Sequence, residues 1–223
     1  MHHIEYLNNT LYSEMAQLPW STTPHLPRRL NGNDMFSFLL RLENDTEVYY
    51  QGCGRDIAGL VRSDAPIPFE CGIYYYEMHI ISKGEHGYIG IGFCHRENNL
   101  DILPGWEENS WGYHGDDGNS FHDGDPTRYG PLFTTGDVVG CGVDIAQGKA
   151  FFTKNGVYLG IAFDNIDTSR DLFPCFGLNT EGERITVNFG QAPFVFDIEN
   201  HVQKQRADTL RRLRKQCEDR YFY

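Results

Sequence analysis

Phe151-Phe152-Thr153-Lys154-Asn155-Gly156-Val157-Tyr158 reads as two strands closing on a tight turn. Asn-Gly supplies the positive φ angles of a two-residue hairpin, and the flanking aromatic and β-branched residues favour extended backbone. The same pattern extends in both directions. Glu47-Val48-Tyr49-Tyr50, Gly72 to Ile81, Gly87 to Cys94 and Val138 to Val143 are short apolar runs ahead of it. Lys149 to Thr153, Leu172 to Leu178 and Ile185 to Phe189 continue the series. Gly, Asp, Asn or Pro bounds each run. Seven or more strands, with helices confined to the ends, predict an all-β sandwich.

The ends differ from the middle. Tyr6, Leu7, Leu11, Tyr12 and Met15 recur at helical spacing, and Pro19, Pro24 and Pro27 then force an extended chain. From Asp197 to about Asp219 there is no glycine or proline. Ile198, Val202, Leu210 and Leu213 form a thin apolar stripe among Lys204, Arg206, Arg211, Arg212, Arg214 and Lys215. That predicts a polar helix in modest contact with the sandwich. The expected organisation is an extension over 1–34, a β-sandwich over 35–197, and a helix and tail over 198–223.

Composition agrees with strands. Among 223 residues, 24 glycines, 15 phenylalanines and 13 tyrosines stand against 4 methionines, and 40% hydrophobic content supports one sizeable core. The net charge of −12 argues against nucleic acid and against insertion into or adhesion to an acidic membrane. Seven basic and five acidic residues fall between Asp197 and Arg220, leaving −14 on the remainder. Partners are then expected to be neutral or basic. Six cysteines without a CxxC pair do not outline a disulfide scaffold, and most lie in apolar runs that suit buried thiols. The N-terminus lacks a signal-peptide pattern, and no run of 18 apolar residues exists. A soluble chain of the cytoplasm, and also of the nucleus, is expected.

Chemistry-bearing patterns are few. Between His114 and Asp125 lie two histidines and four aspartates, yet the spacing fits neither an EF-hand nor a zinc site. Structural turns are the leading reading there, a binding loop the second and a metal site the third. No GxSxG elbow or cysteine-nucleophile signature is present. Gly87-Tyr88-Ile89-Gly90-Ile91-Gly92 runs along a strand, where glycine permits close packing rather than cradling a phosphate. Adjacent Asp116 and Asp117 make a poor glycosidase pair. Trp111, Tyr74, Tyr76, Phe93 and Phe152 read as core. Trp106 follows Pro-Gly and precedes Glu107-Glu108-Asn109, so it reads either as an exposed anchor or as a ring folded onto its own loop.

Several segments together resemble a SPRY domain. They are Leu103-Pro104-Gly105-Trp106, Gly112-Tyr113-His114-Gly115-Asp116-Asp117-Gly118, Tyr129-Gly130-Pro131, the run from Phe133 to Cys141, and Phe152-Thr153-Lys154-Asn155-Gly156. Leu60 to Tyr75 and Asn188 to Glu199 narrow the resemblance to the RanBPM type, which includes the scaffold subunit of the GID/CTLH ubiquitin ligase. The likeness spans about 18–200. It implies a bent sandwich of two antiparallel sheets, no enzymatic activity, no cofactor and no bound metal. It also implies binding of a short peptide or folded protein, ubiquitin-ligase subunits included, through loops at one edge of the sandwich. The candidate partner-binding residues are Arg55, Asp56, Leu103, Pro104, Trp106, Tyr113 and Thr180. Relatives that bind acidic or asparagine-rich peptides carry a tryptophan near the position of Thr180, so their specificity does not transfer. Proteins of the RanBPM type continue into LisH, CTLH and CRA modules. The present chain reaches Tyr223 soon after its last helix, which leaves a fragment or a stand-alone SPRY protein as readings. A glycan-binding, lectin-like sandwich is the alternative, and an enzyme built on the Gly115–Asp125 loop is a further one.

Overall fold

A computed structural model describes residues 4–18, 24–52 and 57–221, with side chains to Glu218. A short 3-10 turn, Glu5–Leu7, precedes α1 (Leu11–Ala16), which Thr10 caps through a reciprocal pair with Ser13. Fourteen strands follow: β1 (Leu30–Met35), β2 (Leu40–Asn44), β3 (Glu47–Tyr50), β4 (Gly59–Ser63), β5 (Ile73–Lys83), β6 (Gly90–Cys94) and β7 (Ser110–His114). The second seven are β8 (Asn119–His122), β9 (Asp125–Arg128), β10 (Val138–Asp144), β11 (Lys149–Lys154), β12 (Val157–Phe163), β13 (Phe173–Leu178) and β14 (Glu183–Asn188). α2 (Ile198–Tyr221) closes the chain.

The strands form two antiparallel sheets of seven. One runs β1-β4-β13-β6-β7-β8-β9, the other β12-β11-β10-β5-β14-β3-β2. The Asn155-Gly156 hairpin joins β11 to β12, with Asn155 at φ 49° and Gly156 at φ 77°. The Asn155 side chain also accepts from Val138 N and donates to Asp137, at 2.8 Å each, so this turn clamps the start of β10. Strand alternation points Tyr74, Tyr76, Met78 and Ile80 of β5 inward. Tyr76 meets Phe176 of β13 at 5.7 Å, and Tyr113 of β7 meets Phe152 of β11 at 5.3 Å, so both pairs bridge the two sheets. Trp111 is buried between Phe93 at 5.1 Å and His122 at 4.9 Å, as a core residue.

The outer face of the second sheet carries its own aromatic layer. Tyr75 of β5 packs on Phe194 and Phe196 of the exit segment. The buried Glu77 carboxylate accepts from Val195 N and Phe196 N, pinning that segment across the sheet. His201 of α2 then stacks near Phe151 at 4.8 Å.

These contacts refine the expected organisation. Tyr6, Leu7 and Leu26 are buried in the same core as the sheets, and β1 begins at Leu30, so the N-terminal segment is built into the sandwich. Ile198 and Val202 are buried too, whereas Leu210 and Leu213 are exposed. Among the described residues, the helix buries apolar side chains only in its first turns. Cys71, Cys94, Cys141 and Cys175 are buried free thiols, as their apolar surroundings suggested, and Cys217 is exposed.

Candidate functional site

Small residues pave the outer face of the first sheet. Alternation turns Gly90, Gly92 and Cys94 of β6, Ser110, Gly112 and His114 of β7, and Cys175 and Gly177 of β13 away from the core. The connection from β6 to β7, residues 95–109, lies flat on this floor. A Cβ at Gly177 would stand 2.6 Å from Pro104 Cδ and 2.7 Å from Leu103 Cδ2. One at Gly112 would stand 2.1 Å from the Pro104 carbonyl oxygen. Glycine is needed here because the loop occupies the room that side chains would take.

Polar contacts fasten the loop. Arg62, buried on β4, donates through Nη1 to Asp34 Oδ1 at 2.6 Å, through Nε to Cys94 Sγ at 3.2 Å, and through Nη2 to the Asn98 carbonyl. Leu60 N donates to Leu100 O at 2.8 Å, and Gly105 N to Ser110 Oγ at 2.8 Å. His114 Nε2 donates to the Pro104 carbonyl at 2.8 Å. That ring is buried against Phe121, and burial pushes its pKa down to about 4, so it is neutral near pH 7. Leu100 and Ile102 pack on Leu60, Cys94 and Cys175.

The loop holds up one large ring. Trp106 is 41% exposed and tilts over His114 at 6.2 Å. It borders a cleft of about 440 Å³ shared with His95, Glu97, Asn98, Glu107, Glu108 and Asp123. Glu97 pairs with Arg170 at 2.8 Å. Burial opposes the charge on Glu107, but hydrogen bonds from Asn99 and Asn98 hold its carboxyl below the usual range. Glu108 and Asp123 line the same cleft, whose basic member, Arg170, is paired with Glu97. Cations favour such a place, through the carboxylates and through the ring quadrupole. His95 is buried beneath, edge-on to Trp111 at 5.7 Å, and burial followed by the Arg170 charge lowers its pKa.

The candidate residues fall in different places. Leu103, Pro104 and Trp106 share the loop, but Leu103 and Pro104 are buried under it and serve as its anchors on Gly177, Gly90 and Gly112. Tyr113 is in the core, not at the surface: it lies on the inward face of β7, against Phe133 and Phe152, with its hydroxyl donating to the Pro131 carbonyl. Thr180 is likewise drawn inward. Its hydroxyl donates to buried Glu183, whose other oxygen accepts from Asn179 N at 2.6 Å and Thr180 N at 3.0 Å. The Thr180 hydroxyl and the two amides are thus engaged within the turn itself. Arg55 and Asp56 lie outside the described residues. Sequence reasoning passed over Arg62, although a charge inside the apolar run Gly59-Leu60-Val61 was a visible anomaly.

The acidic run from His114 to Asp125 is strand β8 with the turns on either side of it, and its aspartates sit in or beside those turns. Asp117 accepts from Asn119 N and Nδ2 at 2.9 Å each, and His122 stacks on Trp111. Among the described residues, no group of three His, Cys, Asp or Glu side chains is disposed to hold a metal ion. No described helix is long and apolar enough to cross a membrane.

The family model for the SPRY domain matches residues 73–192. The chain belongs to the SPRY family. Within that family it is of the RanBPM type. It is 48% identical over 185 residues to Ran-binding protein 10 of Danio rerio, an alignment covering 82% of this chain and 30% of that one. It is 49% identical over 185 residues to Ran-binding protein 9 of Homo sapiens, covering 82% of this chain and 25% of the other. The chain thus spans less than a third of the length of these relatives. A crystal structure of a human SPRY domain aligns at TM-score 0.60 and 26% identity, covering 70% of this chain and 99% of that one. The SPRY domain of human HERC1 shares the fold at TM-score 0.62 and 21% identity, over 74% of this chain and 99% of its own. As a SPRY domain, the chain is a protein-interaction module.

Proposed function

We propose that this SPRY domain is a non-catalytic adaptor that captures a protein segment at the cleft beside Trp106, with a lysine or arginine of the partner seated between the indole and the carboxylates of Glu108 and Asp123. The observation that carries the reading is an exposed tryptophan on a loop that is otherwise locked. Pre-organisation lowers the cost of ordering on binding, and aromatic anchors in rigid surroundings dominate interface energetics. The β6–β7 loop covers the middle of one outer sheet face and the exit segment with α2 covers the middle of the other, which favours a loop-built site over a lectin-type site on an open sheet. The turn at 179–182 and the segment holding Arg55 and Asp56 border the same domain edge in the family's pattern and would extend the contact.

The adaptor serves a ubiquitin-ligase or related complex in the cytoplasm and nucleus, on the strength of the likeness to RanBPM-type proteins. The relatives are named as Ran-binding proteins, so Ran belongs among the proteins tested. Affinity capture from source lysate with the wild type and Trp106→Ala in parallel tests this, read by quantitative mass spectrometry. Ligase subunits enriched by the wild type and depleted by the variant would support the proposal. Equal recovery by both would remove the Trp106 cleft from it.

A further inference from the structure

A second surface, sharing no residue with the Trp106 cleft, lies where α1 and α2 border the sandwich. α1, the 3-10 turn Phe69–Cys71, the start of β5 and α2 enclose a groove of about 630 Å³ whose walls are largely apolar. Leu11, Phe69, Ile73, Ala146, Val202 and Leu210 line it. Three of these are large and open to solvent: Phe69 is 62% exposed, Leu210 56% and Leu11 52%. Large apolar side chains gathered around one groove mark an interaction surface rather than scattered surface residues.

α2 supplies the information about the occupant. Val202, Arg206, Thr209 and Leu210 face the groove, and helical spacing extends that stripe to Leu213 and Cys217, roughly 22 Å further along at 1.5 Å per residue from Val202. The same spacing sets Arg212 on one side of the stripe and Arg214 on the other. From Lys204 to Lys215 the helix holds six basic residues and one acid, a net +5 against −17 on the rest of the chain; Arg206, Arg212 and Arg214 border the stripe, and Lys204, Arg211 and Lys215 fall on the opposite face. An apolar seam with basic flanks on an otherwise acidic protein is complementary to an acidic helix with its own apolar stripe. It is not complementary to itself. Two copies meeting along this stripe would set Arg206, Arg212 and Arg214 against the same three arginines, and like charges across a helix pair are destabilising. On the opposite wall, Asp144 is already engaged by Gln147 N at 2.9 Å and Nε2 at 2.7 Å, so Glu70 is the acidic group left there. The partner's carboxylates would accordingly face α2.

We infer that the groove between α1, Phe69 and α2 is a docking site for an acidic amphipathic helix of another protein, independent of the Trp106 cleft. The test uses the full chain and three synthetic helices of about twenty residues. All three carry the same leucine stripe; the flanking positions are glutamate in one, glutamine in the second and lysine in the third. The glutamate peptide is expected to bind at least tenfold more tightly than the lysine peptide, with an affinity that falls as salt rises. Phe69→Asp and Leu210→Asp should each weaken it about tenfold, and Arg206→Glu with Arg214→Glu should erase the preference for glutamate. All these side chains are solvent-facing, so melting temperatures should hold, and Trp106→Ala should bind as the wild type does. Equal binding of the glutamate and lysine peptides, or binding of neither, would overturn the inference. So would a dimer in sedimentation that Leu210→Asp disperses, because that result assigns the groove to a second copy.

Discussion

Gly112→Ala adds a single methyl group and should dislodge the whole β6–β7 loop. The new Cβ would lie 2.1 Å from the Pro104 carbonyl oxygen, 2.6 Å from its carbon and 2.8 Å from Pro104 Cβ, whereas ordinary contact begins at 3.4 Å. Neither side can give way cheaply, since both atoms at the closest approach belong to backbone. The loop must lift by about 1 Å or more, and overpacking of this kind costs roughly 1–3 kcal/mol. Lifting also stretches the 2.8 Å bond from His114 Nε2 to that carbonyl. A buried donor left without its acceptor adds about 1–3 kcal/mol. The total, about 2–6 kcal/mol, corresponds to a fall in melting temperature of roughly 4–24 °C for a domain of this size. Circular dichroism melts measure it, and a titration with the captured partner should show weaker binding as Trp106 loses its support. A melting temperature within about 2 °C of wild type and unchanged affinity would refute the claim that glycines seat the loop.

Trp111→Ala should cost about 3–5 kcal/mol, read by urea denaturation, because the ring fills the space between Phe93 and His122. Ending the chain after Arg206 should leave the melting temperature nearly unchanged, since Leu210 and Leu213 are exposed, whereas Val202→Asp should destabilise by about 2–4 kcal/mol. His114 should make stability fall as the solution is acidified. Its pKa drops from 6.5 unfolded to about 4 folded, so between these values the unfolded chain binds the extra proton. That amounts to about 2 kcal/mol between pH 7 and pH 5, and His114→Gln should show a correspondingly flatter dependence in urea titrations at the two values. Glu77 and Glu183, whose pKa values burial raises, act in the opposite sense but equally in both proteins, so the difference isolates His114.

Local chemistry made most of the sandwich legible. Asn155-Gly156 announced its hairpin, and the aromatic runs became β5, β10, β11 and β13 within a residue or two. β2, β8 and β9 were harder to see. Leu40–Asn44 and Asp125–Arg128 carry charged or polar residues on short edge strands, where pairing comes from the neighbouring strand rather than from apolar alternation. The site was half legible. Trp106 stood out because a Pro-Gly turn and two glutamates surround it. Tyr113, a candidate contact residue, lies in a segment that resembles SPRY domains, yet period-two alternation with Trp111 sets both rings on one face of β7. Leu103 and Thr180 depend on what the loop and the Glu183 carboxylate do in three dimensions, which no local pattern encodes.

Calorimetric titration of the captured partner into Trp106→Ala tests the central claim most directly. The account predicts an affinity loss of about 2 kcal/mol or more, roughly thirtyfold, because an anchoring tryptophan carries a large share of a contact. The melting temperature should stay close to wild type, since the ring is 41% exposed and the loop is held by Arg62, Leu103 and Pro104 instead. Wild-type affinity in Trp106→Ala would contradict the account, and the partner would then have to meet this domain elsewhere.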